Sequence, residues 1–137
     1  MNSAIFQLNA PYNNPYQGIF SRWLFVCSAG LLRSPTGAAM ANKRSINARA
    51  CGAALEYALI PISANLVMWA DKIVFVCPEV RELAVDVVFS NRSNLQQAIM
   101  SKEVVLNIPD QYEYMNPELQ LIFDKELFTP LGYPGHS

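Results

Sequence analysis

The stretch "WLFVCSAGLLRSPTGAAMA", residues 23 to 41, carries the residue types best suited to chemistry. An apolar run stops at Cys27, five small or aliphatic residues follow, and Arg33 and Ser34-Pro35 come next. A loop running from a strand into a helix start aims several backbone N–H groups at one point, with the positive end of the helix dipole behind them. Ser28, Ala29 and Gly30 are small enough for that backbone to curl around an oxyanion, and Leu31 and Leu32 complete the turn. Arg33 adds a planar fork that takes two oxygens of a phosphoryl group at once. The same field favours the anion at Cys27, and a thiolate beneath a phosphate is a nucleophile aimed at phosphorus. Ser34 reads as the helix N-cap, with a hydroxyl that can also bond the thiolate. A bare Cys-x5-Arg is weak, because a cysteine ending an apolar strand is usually an inert core residue. Its setting strengthens it: a strand before, a glycine inside, a Ser-Pro helix start after.

Cleaving a phosphate ester also requires a proton for the leaving oxygen. Residues 1 to 55 contain no Asp or Glu, so the donor must come from downstream. Asp110 in "LNIPDQYEYMNPEL" is the best candidate, since it follows the fourth expected strand and so shares the sheet edge of the Cys27 loop. Tyr112 and Tyr114 are expected as walls of a pocket for an aromatic substrate, and Glu113 is the lesser acid. The plain alternative for Asp110 is a loop aspartate opening a turn. Cys51 and Cys77 read as strand-end thiols; three cysteines cannot all pair, and their spacing matches no zinc site. His136 reads as solvated.

The elements that position these groups alternate. Strands are expected at 22–27, 46–52 (short or at an edge), 71–77 and 103–109, and helices at 34–45, 62–70, 78–90 and 116–128. Pro35, Pro78 and Pro117 stand at helix starts, with Asn116 capping the last helix. Strand and helix in strict alternation imply an α/β fold: a small doubly wound, four-stranded parallel sheet with helices on both faces. Order 2-1-3-4 puts the end of the first strand, and so Cys27, at the switch point where such sheets bind ligands. Residues 1–20, rich in Asn, Pro and Tyr, read as an N-terminal extension laid on the domain by Tyr12, Tyr16 and Phe20, and residues 21–137 as one domain.

The totals agree with a compact chain: 137 residues, 52% hydrophobic and 15% charged. No apolar run reaches the ~20 residues of a membrane span, and the N-terminus lacks the basic and apolar regions of a signal peptide. A cytoplasmic protein with reduced thiols is therefore expected. Charge is lopsided: residues 1–55 carry five bases and no acid, and residues 56–137 carry five bases and eleven acids. This is either ordinary solvated-face placement or a positive field suited to an anionic ligand. Five bases without interleaved aromatics do not make a nucleic-acid surface.

Three segments then give a family likeness. "FVCSAGLLRSP", "WADKIVFVC" and "IPDQY" resemble the phosphate loop, third strand and late acid loop of the low-molecular-weight protein tyrosine phosphatases. The likeness runs in order over residues 22 to 124 and is strongest to a short bacterial group of predicted tyrosine phosphatases, whose acid loop also continues as "YEYM" and "PEL". It implies Cys27 as nucleophile, Arg33 as the binder of phosphate and transition state, Ser34 as the brace of the thiolate, and Asp110 as acid and then base. It also implies a phosphorylated protein or small phosphomonoester as substrate, and no metal or cofactor. The missing upstream acid separates the chain from the larger tyrosine and dual-specificity phosphatases. Gly30 stands where the family usually has Asn, Leu32 where it often has a second cysteine, and Gln111 where it has Pro. The competing readings are a non-catalytic phosphate-binding or regulatory module, and an arsenate reductase using Cys77.

Overall fold

The computed structural model describes residues 21–54, 56–89 and 93–133. The extension at 1–20 and His136 lie outside the described residues. Strands β1 (Arg22–Cys27), β2 (Asn47–Gly52), β3 (Lys72–Phe75) and β4 (Glu103–Val105) form one all-parallel sheet in the order β2-β1-β3-β4. Helix α1 (Arg33–Asn42) follows β1, α2 (Ala64–Trp69) follows β2, and α3 (Pro78–Phe89) and α4 (Ser93–Lys102) follow β3. Helix α5 (Pro117–Phe123) follows β4 and runs on into a π-helical turn, Asp124–Phe128.

β1 is central, and its residues 23 to 27 are all buried, as a strand covered on both faces must be. Side chains alternate across it. Trp23 and Phe25 meet Phe128 and Phe123, with Trp23 stacked on Phe128 at 6.0 Å, on the side covered by α1, α5 and the π turn. Leu24 and Val26 take the opposite side, where α2, α3 and α4 pack. In α2, Val67 and Trp69 face the core while Met68 is exposed, and Ser63 caps it by accepting from the Leu66 N–H.

Expectation and structure part in four places. Helix α1 starts at Arg33, so Ser34 lies inside it rather than capping it, and the N-cap is Leu32, with no side-chain bond. Pro35 is thus the third helical residue, still within the first turn, where its missing N–H costs no helical bond. Helix α4 forms where the sequence pattern predicts no element: only Leu95, Ala98 and Ile99 mark its inner stripe. β4 ends at Val105, yet Leu106 and Ile108 N–H groups still donate to the carbonyls of Phe75 and Val76. Those two bonds keep the chain extended toward Asp110 although regular strand geometry has ended.

Candidate active site

The C-terminal ends of β1, β2 and β3 and the chain leaving β4 share one edge, and the candidate residues gather there. Cys27 closes β1 and is 3% exposed. Its Sγ accepts from the Gly30 N–H at 3.1 Å and lies 3.0 Å from Ser34 Oγ. Ser34 also donates to the Cys51 carbonyl at 3.2 Å. One hydroxyl proton serves two acceptors, so a Cys27 thiolate would draw it from the Cys51 carbonyl and be held by two donors.

Gly30 makes this turn possible. Its φ is +74°, in the left-handed region, and an added Cβ would stand 2.9 Å from the backbone of Cys51 and Gly52. Gly52 is pressed from its own side, since a Cβ there would meet the Ala29 carbonyl carbon at 2.6 Å. Ala53 and Ala54 N–H groups donate to the carbonyls of Cys27 and Ser28. The exit of β2 therefore braces the loop by main-chain contact.

Arg33 is 3% exposed and turns back under the loop. Its Nη1 donates to the Ile108 carbonyl at 2.8 Å and lies 3.7 Å from Cys77 Sγ; Nη2 is 3.5 Å from Ser28 Oγ. Its Nε faces Asp110 Oδ1 at 3.6 Å, an ion pair too long for a hydrogen bond. Asp110 itself is open, its side chain 66% exposed. Cys27, Ser28, Ala29, Arg33 and Asp110 line one cavity of about 190 Å³, whose remaining wall is Leu31 and Leu32. Tyr112 and Tyr114 do not line it: Tyr112 is buried in the core, while Tyr114 is exposed elsewhere. The apolar wall comes from the loop itself. Glu113 is exposed and is not among the residues lining this cavity.

Of the five N-terminal bases, only Arg33 lines the cavity. Arg22 pairs with Asp71, Arg44 pairs with Asp124, and Arg49 lies over the Trp69 ring. Among the described residues, the positive charge at the site is thus one oriented guanidinium. Burial, with the electrostatic influence of Cys27 adding to it, pushes the Cys51 thiol far up, which keeps it a neutral core residue.

One side chain that the sequence pattern does not single out joins the two loops. Thr36 is fully buried; its hydroxyl donates to the Leu32 carbonyl and accepts from the Met115 N–H, both at 2.8 Å. Met115 holds a φ of +61°, and its carbonyl accepts from Gln120. Asn116 then caps α5 through the N–H groups of Glu118 and Leu119. The Thr directly after Ser-Pro is the signal that could have marked it.

An all-parallel 2-1-3-4 sheet with a Cys-x5-Arg loop at the end of its first strand is the fold that the family likeness implies. Solved phosphatases share it. The chain superposes on the Wzb of Vibrio vulnificus, determined with benzylphosphonate, at a TM-score of 0.55 and 16% identity, covering 76% of this chain and 90% of that one. The tyrosine phosphatase Wzb of Escherichia coli K30, determined with phosphate, gives 0.55 at 14% identity over 79% and 94%. The YwlE arginine phosphatase of Geobacillus stearothermophilus gives 0.59 at 16% identity over 85% and 99%. At the level of sequence, no family model and no curated protein matches.

Proposed function

We propose that the protein is a cysteine-dependent phosphomonoesterase acting on phosphotyrosine. The observation that carries this is the setting of Cys27: a buried sulfur facing the Gly30 amide and Ser34 hydroxyl, in a cavity shared with a buried guanidinium and an open carboxyl. Cys27 attacks phosphorus as the thiolate and the P–O ester bond breaks. Asp110, entering protonated, gives its proton to the departing oxygen. Asp110 then takes a proton from water as that water attacks the phosphocysteine, releasing phosphate and the thiolate. Arg33 and the loop amides bind the equatorial oxygens throughout, where charge develops.

Gly30 supports an intact loop rather than a relaxed one, since it takes the left-handed turn without strain while its N–H faces the sulfur. The solved neighbours include both a tyrosine and an arginine phosphatase. Leu31 and Leu32, both exposed at the mouth, suit a flat aromatic ring better than a cationic guanidine. The test is hydrolysis of p-nitrophenyl phosphate by wild type and Cys27→Ser with a metal chelator present, followed by phosphotyrosine and phosphoarginine peptides. Wild type is expected to cleave the ester and the phosphotyrosine peptide, and the serine variant neither. Activity that survives in the serine variant, or that disappears with chelator, removes the thiolate mechanism; faster cleavage of phosphoarginine reassigns the substrate.

A further inference from the structure

Arg33 and Asp110 form a partition with a cavity on each side. The second cavity, about 330 Å³, shares Ser28, Arg33 and Asp110 with the first and continues past Glu79, Val80 and Leu83. Leu83 in turn lines a third hollow of about 280 Å³ that reaches Glu56 and Tyr57. The three hollows therefore adjoin in series, a track leading away from Cys27 with Arg33 and Asp110 at the first join and Leu83 at the second. A small phosphomonoester would fill only its first part.

The chemistry of the track beyond Cys27 is one-sided. It presents Asp110, Glu79 and Glu56, and among the described residues its only cation is Arg33. Its Nη1 is taken by the Ile108 carbonyl and its Nε faces Asp110, which leaves Nη2 turned toward Ser28 and the Cys27 loop. Glu79 stands at the start of α3, where its own backbone N–H, the Cys77 thiol and Arg33 hold its carboxyl below the usual range. Between the carboxylates, Val80, Leu83 and Val87 offer apolar contact to the stem of a long side chain.

We propose that this track binds the polypeptide flanking the phosphotyrosine, with a neighbouring lysine or arginine side chain seated against Glu79. The inference rests on the phosphotyrosine reading above and narrows it to basic protein segments. It also gives part of the acidic C-terminal half of the sequence a role in recognition. Negative charge beside an anion site selects a mixed-charge ligand, which places phosphate on one side of Arg33 and a cation on the other.

The experiment titrates Cys27→Ser, which does not consume the ligand, with phosphotyrosine peptides that differ only in carrying Lys, Ala or Glu beside the phosphorylated residue. Wild-type kcat/KM on the same peptides is the second readout. The Lys peptide is expected to bind about fivefold tighter than the Ala peptide, the Glu peptide more weakly than either, and the spread to shrink at high salt. Glu79→Lys should reverse the order. Equal affinity for the Lys and Glu peptides, or an order that Glu79→Lys leaves unchanged, overturns the proposal. Hydrolysis of p-nitrophenyl phosphate by wild type separates the two readings. If the ester is cleaved but the peptides bind alike, only the track inference falls. If the Lys peptide is preferred but no ester is cleaved, only the phosphatase reading falls. If neither is seen, both do.

Discussion

The loop after β1 and the loop after β4 face each other across one cavity, yet they are built differently. The first is buried at its ends, Cys27 and Arg33, and tied down between them: Cys27, Ser28, Gly30 and Arg33 each make hydrogen bonds within the edge of the sheet. The second is held by hydrogen bonds at its shoulders, through the Ile108 groups on one side and the Met115 N–H on the other, and by Tyr112 buried in the core, while Asp110 stands exposed. An oxyanion cradle works by fixed dipoles that need no reorganisation, so rigidity serves it. A proton donor must exchange protons with water between steps, so exposure serves it. On the proposed mechanism, the contrast separates electrostatic work from proton transfer.

Substitutions can break that contrast, and the largest effect is expected on the rigid side. Arg33→Lys keeps the charge but loses the fork, and its single ammonium cannot hold Ile108 and a phosphoryl group together. Turnover should fall at least ~100-fold on every substrate. Near-normal rates in steady-state assays would make Arg33 a structural cation only.

On the exposed side the effect should depend on the leaving group. Asp110→Ala should slow phosphotyrosine cleavage by about 10²-fold, since removing a general acid costs that order, while p-nitrophenyl phosphate loses much less because its phenolate departs without help. Binding of inorganic phosphate should persist. Equal losses on both esters, with weakened phosphate binding, would show Asp110 to be a loop residue and move the acid elsewhere.

Thr36→Val cuts the tie between the loops while keeping volume. It leaves the Met115 N–H without its acceptor, so unfolding in urea should show a loss of about 1–3 kcal/mol. If Thr36 positions the acid loop, phosphotyrosine cleavage should drop severalfold more than cleavage of the activated ester. A uniform drop would confine Thr36 to folding.

Much of the fold is legible in the residues. Strands apolar on both faces, and prolines in the first turns of helices, mark an alternating parallel α/β sheet with its inner strands buried, and the order β2-β1-β3-β4 is one of the few that right-handed crossovers leave. The convergence of Cys27, Arg33 and Asp110 is legible for the same reason, because parallel strands send every following loop to one edge. Helix α4 is not, since four apolar residues, one of them the exposed Met100, in a polar segment lie close to what a connection contains. Ser34 misleads as a cap because Ser-Pro is a helix-start signal, while here Cys27 and the Cys51 carbonyl claim its hydroxyl. The groups hardest to foresee are the carbonyls of Cys51 and Ile108, for every residue has one and no side-chain pattern marks which will matter.

The brace that β2 lends the loop after β1 consists of amides, carbonyls and one pair of glycines pressed together. A main-chain bond does not ask which side chain hangs from it, so, Gly30 apart, the loop positions Ala29, Leu31 and Leu32 can change without the loop opening. Kin of such a site are found by shape before they are found by spelling.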